Sequence, residues 1–348
     1  MRRSGRIWGA ISWLAALALL ALPPTGCRVT DCALWRAPEP ARPGPFQVEV
    51  VRDIAYDTGP DANDHRHRLD LYLPLGKKDG PVVLLVHGGA WVLGDNRYYG
   101  LYSSLGQFLA RQGIVAVLPN YRLAPGSKHP KHIEDVARAF AWTRTHIGDY
   151  GGNPDHIVLA GHSAGGHLVS LLATDEKYLQ AVGQRAADIK GVVAVCGVYR
   201  IPTERLPLTL GGTGPLAFNF DQLFPVRGVG GWSSARRLGL PGIPLGVDVF
   251  GYVFGHDPMT RDDASPVNHV RPGLPPFLLF SAQNDLPTLP GMAQEFHSAL
   301  LDQGCDSRLV TVNDRNHCSI MYRAVEEHDP VARAIVDFVN RQTAASRP

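Results

Sequence analysis

A chain of 348 residues, 45% hydrophobic and 19% charged, is long enough for one large α/β domain or two smaller ones and too apolar to be disordered. The formal net charge is only +2, and no basic stripe with interleaved aromatics is present. Arg236-Arg237 is a lone pair in a Gly/Pro-rich stretch, so no nucleic-acid partner is expected.

Residues 1–27 read as an export signal. Arg2, Arg3 and Arg6 form a basic start, Ile7–Leu22 an apolar run, and Pro23-Pro24-Thr25-Gly26-Cys27 closes it. The run is shorter than a typical membrane-spanning helix. It resembles a bacterial lipoprotein signal, in which the Cys after a small residue is lipidated. Pro24 stands where that pattern usually has Leu, so an ordinary secretory peptide or an uncleaved anchor stays open beside lipidation of Cys27. The expected location is the cell envelope or periplasm, with membrane contact only through this segment. Residues 28–45, rich in Pro, Arg and Ala, read as a linker.

The domain is expected over 46–342. Phe46–Val51 and Leu69-Asp70-Leu71-Tyr72-Leu73 alternate apolar and polar residues, which predicts an antiparallel pair with one buried face. Pro81–Val86 is a continuous apolar run, as a strand buried on both faces of a parallel sheet requires. A helical pattern over Tyr99–Gln112, the strand Ile114–Leu118 and a helix from about Pro130 to Ile147 follow. Tyr150-Gly151-Gly152-Asn153-Pro154 reads as a turn before the apolar run Ile157–Ala160. The next core strand is Ile189–Cys196. Periodicity then lapses over about 199–270, a Gly/Pro-dense stretch with scattered aromatics, read as a cap-like insertion. Strand Phe277–Phe280, helix Leu289–Gln303, strand Arg308–Val312 and a final helix from about Ala324 to Arg341 complete the chain. This alternation predicts a right-handed, doubly wound, mostly parallel sheet, with its ligand site at the C-terminal ends of the strands.

Gly161-His162-Ser163-Ala164-Gly165 joins a strand to a helix at that edge. A strand stopping in a sharp turn and restarting as a helix lifts Ser163 clear of the sheet and puts helix N–H groups beneath it. A serine hydroxyl needs a base, and the base needs a partner to hold its tautomer. Asp285 and His317 each follow a predicted strand, on the same edge and in the chain order Ser, Asp, His. Asp302 and His297 fall within a helix, Asp314 on a turn toward solvent and His328 in the final helix. His87-Gly88-Gly89 follows the third strand, and glycines let backbone amides approach an oxyanion. Gly88, Gly89 and Ala164 are therefore the candidate oxyanion donors, with His87 as a brace for the loop. Cys196, Cys305 and Cys318 read as free or buried thiols, and no metal-ligand spacing is present.

His87-Gly88-Gly89-Ala90-Trp91, Asn120-Tyr121-Arg122, Glu134-Asp135-Val136, Tyr150–Pro154 and Gly161–His167 together resemble the α/β-hydrolase carboxylesterases. Within them the likeness is to the branch holding carboxylesterase/lipase-like proteins, arylformamidases and prenylcysteine methylesterases. It covers roughly Phe46–Asn340, densely over Val82–Ala173 and faintly over 200–265. The resemblance implies an α/β-hydrolase fold, acyl transfer to water without metal or organic cofactor, a small ester substrate, and Ser163, Asp285 and His317 as the triad. Ala282 and Gln283 depart from the common Gly-x-x-Asp form ahead of the acid. The expected function is an exported serine hydrolase cleaving carboxylic esters through an acyl-enzyme. Two alternatives stand beside it: a formamidase or other amide hydrolase on the same triad, and a non-catalytic α/β-hydrolase used for binding or adhesion. Nothing in the sequence speaks to oligomeric state.

Overall fold

A computed structural model describes residues 44–62, 65–203, 208–210, 217–218, 246–247, 249–326 and 328–344, all within the unit Pro38–Pro348. The export segment, Cys27, Cys32 and most of the linker lie outside the described residues, as does most of the insertion between 204 and 248. Among the described residues no helix is long and apolar enough to cross a membrane.

The described chain is built on one eight-stranded sheet. Its strands are β1 (Val48–Ala55), β2 (Arg68–Pro74), β3 (Gly80–Val86), β4 (Val115–Pro119), β5 (Gly152–His162), β6 (Ile189–Val195), β10 (Phe277–Asn284) and β11 (Ser307–Asn316). Three short strands, β7 (Leu208–Leu210), β8 (Ala217–Phe218) and β9 (Gly246–Val247), form a second small sheet within the insertion. The order in the large sheet is β1-β2-β4-β3-β5-β6-β10-β11. β1 pairs antiparallel with β2, and β2 antiparallel with β4. All pairings from β4 to β11 are parallel. The opening antiparallel pair and the doubly wound parallel remainder are as the alternation predicted.

Helices cover both faces, which is why the central strands are apolar throughout. Val82, Leu84 and Val86 of β3 pack on one side with α2 (Lys131–His146), α3 (Ala164–Thr174) and α6 (Leu289–Asp302). Val83 and Leu85 pack on the other with α1 (Leu101–Arg111) and α7 (Pro330–Thr343). The insertion closes with α4 (Val249–Phe254), α5 (Pro258–Asp263) and a 3-10 turn, Pro266–His269, before the chain returns to the sheet. Full burial of a Leu or Val side chain contributes about 1.5–3 kcal/mol, so these two layers carry most of the stability.

Several boundaries differ from the sequence reading. Of the Tyr150–Pro154 segment read as a turn, Tyr150 and Gly151 do turn, while Gly152–Pro154 is already the first part of β5, where Gly152 pairs with Gly80 at the strand's start. β10 and β11 run on past their apolar cores to Asn284 and Asn316, through the exposed Gln283 and Asn284 in one and the exposed Asn313 and Asp314 in the other. The final helix begins at Pro330 rather than near Ala324. Proline has no N–H to lose at a first helical position, and the Asp329 carboxylate caps the Val331 N–H at 2.9 Å. A short helix, Ser319–Tyr322, and a 3-10 turn, Arg323–Val325, fill the gap.

The loop after β4 is fastened by a buried carboxylate. Asp135 on α2 is fully buried. It accepts the Arg122 N–H at 2.9 Å, the Arg122 guanidinium at 2.6 and 2.9 Å, and the Arg138 guanidinium at 2.9 Å. His67 Nε2 lies 3.1 Å from the same carboxylate. Burial alone would raise the Asp135 pKa, but the hydrogen bonds and charge of His67 and Arg122 outweigh it and hold the group below the ordinary carboxylate range. A pKa depressed by folding contributes stability above the unfolded value, about 3.9, that is lost as pH falls below it. Asp135→Asn is therefore expected to destabilise the protein by about 3 kcal/mol at neutral pH, since it removes the one charged acceptor that the Arg122 and Arg138 guanidinium groups and the Arg122 N–H share. The gap between variant and wild type should narrow as pH drops below about 4. Melting temperatures at several pH values check this, and a gap independent of pH would refute it.

Candidate active site

β5 ends one residue before Ser163, and α3 begins one residue after it. The turn is tight enough to force Ser163 to φ 55°, ψ −118°, a conformation that costs of order 1–3 kcal/mol and persists only where its surroundings impose it. They do so by close backbone packing. A Cβ on Gly161 would lie 2.3 Å from the Gly165 oxygen, and one on Gly165 would lie 2.1 Å from the Val86 oxygen. Only glycine at both positions lets α3 start directly against β3 and β5. The Ser163 N–H donates to Val195 O at 2.9 Å, which ties the turn to β6 as well.

Ser163, Asp285 and His317 converge although they are far apart in sequence. His317 Nε2 lies 2.9 Å from Ser163 Oγ, and His317 Nδ1 lies 2.7 Å from Asp285 Oδ1. With Nδ1–H donating to the carboxylate, Nε2 is left to accept the serine proton. Asp285 is held by the Leu286 N–H at 2.8 Å and more loosely by the Ala282 N–H at 3.3 Å. Burial pushes the Asp285 pKa up, but the hydrogen bond and charge of His317, with lesser help from the Cys196 thiol and the Leu286 amide, bring it below the usual range. It therefore stays ionised opposite the ring.

The loops carrying acid and base are themselves joined. Gln283 Oε1 accepts the Asp314 N–H at 3.0 Å, linking the end of β10 to the end of β11. Behind His317, Asn316 Oδ1 accepts the Cys318 and Ser319 amides at 3.1 and 2.8 Å, and Ser319 Oγ accepts the Asn316 N–H at 2.8 Å. Asp314 is exposed and contributes its backbone here rather than its carboxylate. His297 bonds Ser307 Oγ on the far side of α6.

The loop after β3, the candidate oxyanion loop, departs from the sequence reading at Gly88. Its N–H is not free: it donates to Tyr102 Oη at 2.7 Å. Gly88 instead serves by its lack of a side chain, since a Cβ there would meet Ser163 Cβ at 3.1 Å and His162 O at 2.8 Å. The Gly89 and Ala90 N–H groups have no protein acceptor assigned among the described residues, and Ala164 is the first residue of α3, where amides have no intrahelical acceptor. Nothing in the motif distinguishes Gly88 from Ala90, because the difference is made by Tyr102, 14 residues away in sequence. His87 is buried and stacks on Tyr121 with ring centroids 4.3 Å apart. Its Nδ1 lies 2.8 Å from Gly88 O, and burial lowers its pKa to about 4. It braces the loop, as expected.

Trp91 closes the other end of the loop. Its Nε1–H donates to His167 Nδ1 at 3.3 Å, and His167 Nε2 donates to Ala264 O at 2.8 Å. The rings of Phe254 and Phe250 on α4 lie 5.0 and 6.1 Å from Trp91. The last part of the insertion thus packs on the oxyanion loop. Phe220, Phe224 and Trp232, read as cap aromatics, lie outside the described residues.

Among the described residues, two groups of side chains have metal-type donors within 4.8 Å of one another. One is Cys196, Asp285 and His317, of which Asp285 and His317 are already joined by the hydrogen bond at 2.7 Å. In the other, Asp175, Asp263 and His269, the Lys177 ammonium reaches Asp175 at 2.7 Å and Asp263 at 2.5 Å and supplies the cation itself. Cys196, Cys305 and Cys318 are free thiols.

The BD-FAE family matches residues 69–204, which hold the oxyanion loop and the nucleophile turn. Among curated proteins of Mycobacterium tuberculosis, the chain is 43% identical over 257 residues to esterase LipC, covering 72% of this chain and 56% of that one. It is 30% identical over 275 residues to the probable carboxylic ester hydrolase LipM, covering 74% and 56%. The chain thus spans little more than half the length of these relatives. Among solved structures, esterase B of Lactobacillus Rhamnosis superposes with a TM-score of 0.67 at 22% identity, covering 96% of this chain and 94% of that one. A Pyrobaculum calidifontis esterase gives 0.63 at 20% identity, covering 95% and 99%. At such identities the structural likeness speaks for the fold and the sequence relatives for the family. The chain belongs to the carboxylesterase family of the α/β-hydrolase fold.

Proposed function

We propose that this protein hydrolyses carboxylic esters through an acyl-enzyme on Ser163. The observation that carries the proposal is the unbroken contact from Ser163 Oγ through His317 to Asp285, at 2.9 and 2.7 Å. Ser163 Oγ attacks the ester carbonyl while His317 Nε2 takes its proton. The tetrahedral oxyanion is held by the N–H groups of Gly89, Ala90 and Ala164, with Ala90 in the role first assigned to Gly88. His317 then gives the proton to the departing alcohol, and Asp285 stabilises the imidazolium between these transfers. Water, deprotonated by the same ring, releases the acid. The names of LipC and LipM support an ester rather than an amide substrate.

Ser163→Ala and His317→Ala are expected to lower kcat on p-nitrophenyl acetate by about 10⁴-fold or more while leaving the melting temperature near wild type. Asp285→Asn should be severe and Asp314→Asn silent, because the Asp314 carboxylate is turned to solvent. The reverse pattern would put the acid elsewhere. A fluorophosphonate probe should label the wild type on Ser163 and leave Ser163→Ala unlabelled.

We also propose that residues 1–27 direct export, with Cys27 as the lipidated residue. The basic start, the apolar run and the small residue before Cys27 support this. Expressed from its full sequence in a bacterium, the protein should fractionate with membranes and incorporate labelled palmitate, and Cys27→Ser should abolish the label. Stable attachment takes more than one acyl chain, so a wholly soluble mature protein would rule the lipid anchor out.

A further inference from the structure

Two side chains behind the site have hydrogen-bond roles that only one arrangement of protons satisfies. The Gly88 N–H can only donate, so Tyr102 Oη accepts from it at 2.7 Å. The phenol proton is then free to go to His162 Nδ1, 3.1 Å away. That nitrogen must be bare, so the ring proton sits on Nε2 and is donated to the backbone carbonyl of His317 at 2.8 Å. Tyr102 and His162 are 3% and 4% exposed, so no water competes for these bonds.

We infer that Tyr102 and His162 form a positioning relay, which sets the oxyanion loop and the catalytic histidine in one register about the nucleophile. The relay runs Gly88 N–H to Tyr102 to His162 to His317 C=O, and so ties together the loop after β3, the start of α1, the nucleophile turn and the loop after β11. His162 precedes Ser163 in the chain, which fixes the His317 backbone relative to the serine its ring must reach. Tyr102 fixes the Gly88 backbone where a Cβ would already touch Ser163, and leaves the next amides to face the oxyanion.

The chemistry of the site requires the second ring to stay neutral. His162 and His317 have ring centroids 4.9 Å apart, and His317 becomes an imidazolium in each half-reaction. A charged His162 would oppose that step and would lose its acceptor for the phenol. Burial, aided by His317, lowers the His162 pKa to about 3, while burial raises that of Tyr102, so both keep the protons the relay needs.

The inference rests on the proposed esterase reading, and side-chain stereochemistry gives a test that separates the two. In place of His162, an Asn carbonyl oxygen reaches the Nδ1 position and still accepts from Tyr102, but nothing reaches the His317 carbonyl. A Gln amide nitrogen reaches the Nε2 position and restores that bond. Using the full chain and p-nitrophenyl acetate, we expect Tyr102→Phe and His162→Asn each to lower kcat about 10-fold or more, with KM within about twofold. His162→Gln should recover to within about threefold of wild-type kcat. Circular dichroism and melting temperature establish folding, and if His162→Asn does not fold, Tyr102→Phe, which removes one oxygen, decides alone. Unchanged kcat in Tyr102→Phe, or equal impairment of the Asn and Gln variants, would overturn the relay while an active, fluorophosphonate-labelled wild type leaves the esterase reading standing. A wild type that neither labels nor turns over would overturn the esterase reading, and the relay with it.

Discussion

Everything at the C-terminal edge of the sheet depends on one backbone contact, that of the Gly161–Gly165 turn with the end of β3. Gly165 would put a Cβ 2.1 Å from the Val86 oxygen. Such proximity forces Ser163 into a positive-φ conformation and leaves its side chain standing off the sheet edge. The strain is tolerable because Ser163 N–H is bonded to β6 and its carbonyl accepts the His167 N–H at 3.0 Å, inside α3. The same approach brings the loop after β3 against the serine, so Ser163 and the proposed oxyanion loop are placed by a single packing event. Parallel strands then deliver Asp285 and His317 to the same edge without further design, because every loop after a parallel strand emerges there.

The histidines divide by environment. His87, His132, His162 and His167 are buried by the sheet edge and its loops, His129 is half-buried beside them, and burial lowers each pKa to about 3 or 4. His87, His162 and His167 act as fixed neutral hydrogen-bond partners that brace the loops around the site, while His132 sets its ring edge-on to Tyr121. His317 is as deeply buried, at 4% exposed, yet it alone of these faces an ionised carboxylate at hydrogen-bond distance. His67 also meets a buried carboxylate, that of Asp135, so what sets His317 apart is that its other nitrogen lies 2.9 Å from Ser163 Oγ, the arrangement the proposed proton transfer uses.

Much of this was legible in the sequence because the governing patterns are short in range. The apolar runs of β3 and β5, the alternation in β2 and the glycines around Ser163 each report their own surroundings. The strand-helix alternation then places Asp285 and His317 on one edge by topology alone. What escaped was set by partners distant in sequence. Gly88 looks like an oxyanion donor until Tyr102 is found on its N–H. The Gly152 segment looks like a turn until Gly80 pairs with it. Pro330 was a local signal left unused, since proline favours a first helical turn as strongly as it disfavours a helix interior.

The departure from Gly-x-x-Asp ahead of the acid now has a physical account. A glycine at position 282 would have eased a tight turn into Asp285, but Ala282 is buried in the layer beneath α7 and its N–H still reaches the Asp285 carboxylate. Gln283, at the exposed end of β10, turns its amide oxygen to the Asp314 N–H and so braces the loop that carries His317. Asp314 has φ 55°, a conformation asparagine and aspartate tolerate better than most residues, and it needs its amide held there. The acid loop therefore supports the base loop twice, once through the Asp285 carboxylate on the ring and once through Gln283 on the backbone. Two fastenings at different atoms constrain the rotation of His317 as well as its position, which is what the proposed transfer of a proton from Ser163 and on to a leaving group requires.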